Sequence, residues 1–70
     1  MLVQVDRSKL IHYLFDKAMT ASELAKRADV SLQAVRNVLA GRKLMIPSAS
    51  KIARAIDIAP DDFIIFDAQI

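Results

Sequence analysis

The stretch from Thr20 to Arg42, TASELAKRADVSLQAVRNVLAGR, limits the fold more than any other part of this 70-residue chain. Thr20 followed three residues later by Glu23 is a capping-box pattern, in which hydroxyl and carboxylate each accept from the other residue's backbone N–H. It predicts a short helix running to about Ala28, with Leu24, Ala25 and Ala28 inward and Lys26 and Arg27 in water. Ser31 then caps a second short helix whose Val35, Val38 and Leu39 face inward. Gly41 after Ala40 is a natural stop, because glycine takes a positive φ without a Cβ clash. Only about three residues, Asp29 to Ser31, join the two helices, so they must cross steeply, with a small side chain at the crossing and apolar flanks around it. Ala25 meets the first need, and Leu24, Val30, Val35 and Val38 meet the second.

Helical spacing continues on both sides. Asp6 can cap a first helix in which Leu10, Ile11, Leu14 and Phe15 form one apolar stripe while Arg7, Lys9 and Lys17 face water. Arg42 to Pro47 reads as a loop, and Ser48 as the cap of a fourth helix carrying Ile52, Ala53 and Ile56 inward to about Asp57. Ala59-Pro60 opens a short fifth helix, with Pro at the first helical position and Asp61 and Asp62 near the positive end of the dipole. The expectation is an all-α, five-helix domain over residues 7–66, preceded by an N-terminal arm, 1–6, and followed by a tail, 67–70.

Composition fits that expectation. Hydrophobic residues make up 54% of the chain against one Gly and two Pro, enough apolar surface for a core and little material for long loops. A chain this short builds one core and no second lobe with a cleft between, which argues against most enzymes. Without Cys there are no disulfide staples, so stability must rest on helix packing and a cytoplasmic location is expected. The apolar runs are short and broken by charge, so neither a signal peptide nor a membrane span is expected.

From Lys9 to Phe63 the chain resembles the Cro/phage-repressor, or lambda repressor-like, helix-turn-helix family. The resemblance is carried by Met19 before the second helix, SELAKRADVS (Ser22 to Ser31), VRNVLAGR (Val35 to Arg42) and SKIARAIDIAPDDF (Ser50 to Phe63). It implies a five-helix domain whose third helix enters the major groove, while the start of the second helix and the loop after the third hold the phosphate backbone. Carried over by position, Leu32, Gln33, Arg36 and Asn37 form the base-reading set. Gln33 and Asn37 can bond adenine through N6 and N7, and Arg36 can reach guanine or a phosphate. Leu32 can offer only apolar contact, such as a thymine methyl, or fold back onto the protein. Thr20, Arg42 and Lys43 match phosphate-holding positions of the motif, with ordinary capping and surface charge as the competing explanation, and Ser31, the cap of the third helix, is counted with the DNA-binding set. Positions 29 and 57 are usually glycine in the family and are Asp here, a departure costing on the order of 1 kcal/mol each in a left-handed turn.

Charge placement agrees with a phosphate partner. Residues 7 to 54 hold all ten Lys and Arg against three carboxylates, a net +7, whereas from Asp57 onward there are four Asp and no basic residue. His12 is the only His, and with no Cys the parts for metal ligation or nucleophilic catalysis are missing, so no cofactor, metal or small-molecule substrate is expected. The ends carry more apolar surface than five helices need: Met1, Leu2, Val3 and Val5 at one, Phe63 to Phe66 and Ile70 at the other. Either they pack on each other or they pack on a partner, a second copy first among them, since relatives dock as dimers on half-sites about 34 Å apart. The function expected is sequence-specific binding of double-stranded DNA by a transcriptional regulator of the repressor type. Its rivals are an antitoxin that regulates its own promoter and a protein-interaction domain that has lost DNA binding.

Overall fold

A computed structural model of the chain describes residues 1–65. The order of elements is β1 (Leu2–Val5), α1 (Arg7–Lys17), α2 (Ala21–Ala28), α3 (Leu32–Leu39), β2 (Leu44–Met45), α4 (Ile46–Ala55), α5 (Pro60–Phe63) and β3 (Ile64–Ile65). All five expected helices are present, but the fold is not all-α. A small antiparallel sheet of order β2-β1-β3 lies beside them, pairing Leu2 with Met45, Val3 with Leu44, Gln4 with Ile65 and Val5 with Ile64.

The sheet corrects three local expectations. Residues 2–5, read as part of an arm, are the central strand. The stretch 42–47, read as a loop, holds β2 and the start of α4. Ser48 does not cap α4: the helix begins at Ile46, its capping position is Met45, and no side chain makes the capping bond. The reason lies in β1, whose backbone takes up β2 and β3 in turn, so backbone pairing rather than a polar side chain decides where α4 begins.

Side chains alternate across the sheet as strand geometry requires. Val5, Leu44 and Ile64 are buried against the helices, with Val3 packed beside them, while Leu2, Met45 and Ile65 point outward at 54, 51 and 52% exposure. Among the described residues the two ends therefore pack on each other through one face and leave Leu2, Met45 and Ile65 exposed on the other. Phe66 and Ile70, and the expected tail 67–70, lie outside the described residues.

The core is apolar throughout; among the described residues no polar side chain is buried. Leu10, Leu24, Val35, Val38, Ala49, Ile52, Ala53, Ile56 and Phe63 fill it, as expected of most of them from their spacing. Helix α1 turns a narrower stripe inward than expected. Leu10 is buried and Leu14 half-buried, but Ile11 and Phe15 are 40 and 89% exposed. A four-position stripe would need neighbours on two sides of the helix, and among the described residues none covers Ile11 and Phe15.

Four helices end in the same way. In each, a residue with positive φ (Ala18 at 51°, Asp29 at 60°, Gly41 at 78°, Asp57 at 59°) turns the chain out. The next N–H then donates back into the last turn: Met19 to Leu14, Val30 to Ala25, Arg42 to Asn37 and Ile58 to Ala53. Asp29 and Asp57 thus occupy the left-handed conformation their replacement of glycine required.

Candidate nucleic-acid interface

The interface starts from two caps. Thr20 Oγ1 accepts from the Glu23 N–H at 3.1 Å and Glu23 Oε1 accepts from the Thr20 N–H at 2.8 Å, so the capping box is complete. These bonds from Thr20 hold the Glu23 carboxyl below its ordinary range. Met19, just before the cap, packs against the core that contains Leu24, which fixes the entry of α2. Ser31 Oγ accepts from the Ala34 N–H at 3.1 Å and starts α3.

Between the caps the chain turns on Asp29. Its N–H donates to the Lys26 carbonyl, and Val30 donates to the Ala25 carbonyl at 3.0 Å, so the turn closes directly over the small residue expected at the crossing. Ala25 is buried, and α3 packs against α2 with Val35 and Val38 fully enclosed. Burying 35 and 38 on a 3.6-residue period sends 33, 36 and 37 to the other side. Gln33 and Arg36 are exposed and Asn37 half-buried. Leu32 is half-buried and packs against the core, so it folds back onto the protein in this structure.

Gln33 and Asn37 also touch. Gln33 Nε2 donates to Asn37 Oδ1 at 3.0 Å, linking two side chains that the sequence presents only as neighbours one turn apart. Arg42 and Lys43 are exposed in the short link between Gly41 and β2. Thr20, Ser31 and Glu23 are exposed as well, so the start of α2 and the start of α3 are open to solvent.

Two further residues, unconnected to this region by sequence, reach it through the sheet. Gln4 Nε2 donates to the Gly41 carbonyl at 3.1 Å. The guanidinium of Arg7 lies 3.0 Å from where a Cβ on Gly41 would stand, so glycine there serves the positive φ and leaves room for the end of the Arg7 side chain. The only signal in the sequence was the glycine itself, which names no partner.

A shallow depression of about 600 Å³ is lined by Asp6, Ser8, Lys9, His12, Tyr13, Asp16 and Ile58, and His12 is exposed on it. Among the described residues no three His, Cys, Asp or Glu are grouped as metal ligands. No helix among them is long and apolar enough to cross a membrane.

Two solved structures share this architecture, described as Phpd with cadmium complexed with hydroethylphosphonate (HEP) and as native PhpD with cadmium atoms. Each has a TM-score of 0.68 and 25% identity over 96% of this chain. The chain spans only 14% of the length of those proteins. No curated protein matches the sequence. Residues 9–69 match the family described as the Cro/C1-type HTH DNA-binding domain, and that span takes in both caps, the Asp29 turn, α3 and the Arg42–Lys43 link. With most of its length inside that match, the chain belongs to the Cro/C1-type helix-turn-helix DNA-binding family.

Proposed function

We propose that the chain is a sequence-specific double-stranded DNA-binding regulator of transcription, of the compact repressor type, working in the cytoplasm without catalysis. α3 lies in the major groove. Gln33, Arg36 and Asn37 face the base edges there, with Leu32 as an apolar shoulder. Thr20 and Ser31 at the open helix starts, and Arg42 and Lys43 after α3, face phosphates. One observation carries the reading: three polar side chains stand on the free side of a short helix whose other side, Val35 and Val38, is locked in the core. A rigid rod presenting amides and a guanidinium suits base-edge recognition, where each good bidentate pair adds roughly 1–3 kcal/mol of discrimination.

Selection of binding sites from random duplexes tests the reading, and enrichment of a short, reproducible site is the expected result. Removing Arg42 or Lys43 should then lower the salt slope of binding by about 0.9 per lost phosphate contact. No enrichment, or a slope unchanged in both variants, would refute it. Self-association belongs to the same proposal and is supported by the open apolar face at Leu2, Met45 and Ile65. A monomer at all concentrations in sedimentation would remove that part alone.

A second reading has its own support. The same architecture also occurs as 14% of the length of larger chains, described with cadmium and in one case a phosphonate, so it serves there as one part of a bigger protein, and a domain kept for protein contacts is the second reading. A mobility shift on mixed duplex DNA that is absent, or indifferent to salt, would select it.

A further inference from the structure

The bond between Gln33 and Asn37 assigns the two amides different tasks. An amide reads adenine with one oxygen and one N–H together, accepting from N6 and donating to N7. Asn37 has already placed its only oxygen on Gln33 Nε2, at 3.0 Å. That oxygen keeps a second lone pair, but the Gln33 amide already lies against it, so a base edge at Asn37 would have to share the oxygen with Gln33. Gln33 is in the opposite position. Its Nε2 carries two N–H groups, of which one goes to Asn37, and the other still stands beside a free Oε1. Asn37 is also the less exposed of the pair, rooted between the buried Val35 and Val38, while Gln33 lies fully on the surface. The shorter, less exposed side chain has fewer orientations open to it, so within the pair Asn37 is the one that can steer and Gln33 the one that is steered.

We propose that, of the two amides, only Gln33 reads a base, preferring adenine, and that Asn37 is a positioning residue that holds the Gln33 amide in its reading orientation. The proposal rests on α3 being the reading helix. It differs from two independent amide contacts because it ties both residues to one base pair. Holding a long side chain before DNA arrives removes rotamer entropy that would otherwise be lost on binding, so the anchor sharpens discrimination without touching a base.

Site selection with wild type, Gln33→Ala, Asn37→Ala and Asn37→Asp tests it, using circular dichroism to show that each variant keeps its helices. Asp keeps the acceptor for Gln33 and lacks the NH₂ group. Its charge weakens binding to all sequences together, so the ratio between sequences is what is read. Gln33→Ala should erase the adenine preference at one position, by about tenfold or more. Asn37→Ala should weaken preference at that same position and leave others intact, and Asn37→Asp should restore it. If Gln33→Ala and Asn37→Ala relax two different base pairs, the proposal fails while the reading helix stands. Asn37→Asp behaving like Asn37→Ala would overturn it as well. If Gln33→Ala changes no position, the reading helix and the proposal fall together.

Discussion

α2 and α3 each begin at a hydroxyl side chain that accepts a backbone N–H, Thr20 in one and Ser31 in the other. α4 and α5 begin at Met45 and Ala59, where no side chain makes a capping bond and proline stands in the first turn. The first pair is delimited by residues within a few positions of each helix end. The second pair takes its limits from the sheet, since α4 follows β2 directly and α5 runs directly into β3. The half proposed to meet DNA is thus built by short-range chemistry, and the half that supports it by contacts between distant parts of the chain.

That contrast can be broken most forcefully at the sheet. Leu44 and Ile64 are buried partners of Val3 and Val5, and replacing either with Ala should cost about 2–5 kcal/mol, read as a lower urea midpoint. A loss under about 0.5 kcal/mol would mean that the strands are ornaments on a helical domain.

Caps come next in size. Thr20→Ala and Ser31→Ala should each lower stability by about 1 kcal/mol, whereas Ser48→Ala, inside α4, should stay within about 0.5 kcal/mol. Equal losses at all three positions would erase the distinction between the halves.

The helix ends sharpen it further. Asp29→Gly relieves a left-handed residue whose side chain makes only a 4.0 Å ion pair with Lys51, both ends exposed, and should raise the melting temperature, by up to about 1 kcal/mol of stability. Gly41→Ala should do the reverse, because φ is 78° and the added Cβ would press on the Arg7 guanidinium. A fall in melting temperature for Asp29→Gly would show that its side chain, not its backbone, holds the turn.

Acid has the smallest effect. The Glu23 carboxyl, bonded by Thr20, is held below its ordinary 4.5. Asp6, bonded first by the Ser8 hydroxyl and also by backbone N–H groups, is held below 3.8. Both groups are depressed in the folded chain, so their contributions are present above those values and vanish as pH falls through the lowered ones. Melting temperature should therefore decline in wild type between about pH 5 and 3 and decline less in Glu23→Gln. Parallel curves would remove Glu23 from the capping box.

Legibility followed the same divide. Thr20, Glu23, Ser31 and Gly41 announced the limits of α2 and α3, because capping and turn chemistry act over three or four residues and leave a pattern in the chain. Strands of two residues leave none: Leu44–Met45 and Ile64–Ile65 have no period to detect. Ile11 and Phe15 share the helical spacing of Leu10 and Leu14, yet spacing cannot say how many faces of α1 meet neighbours. In the interface, the positions of Gln33, Arg36 and Asn37 were readable from the burial of Val35 and Val38, but not the bond between the two amides. Side-chain rotation decides that, and both amides have alternatives in water.

By itself, the sequence determined the five helices, the crossing at Ala25 and the polar face of α3, since each follows from periodicity and local hydrogen bonding. Only the tertiary structure decided that the two ends meet as strands, that α4 starts at Ile46, and that Gln4 and Arg7 close on Gly41. The pairings among them join residues 34 to 61 positions apart. Backbone pairing and close packing select them from many alternatives that the same short motifs would allow.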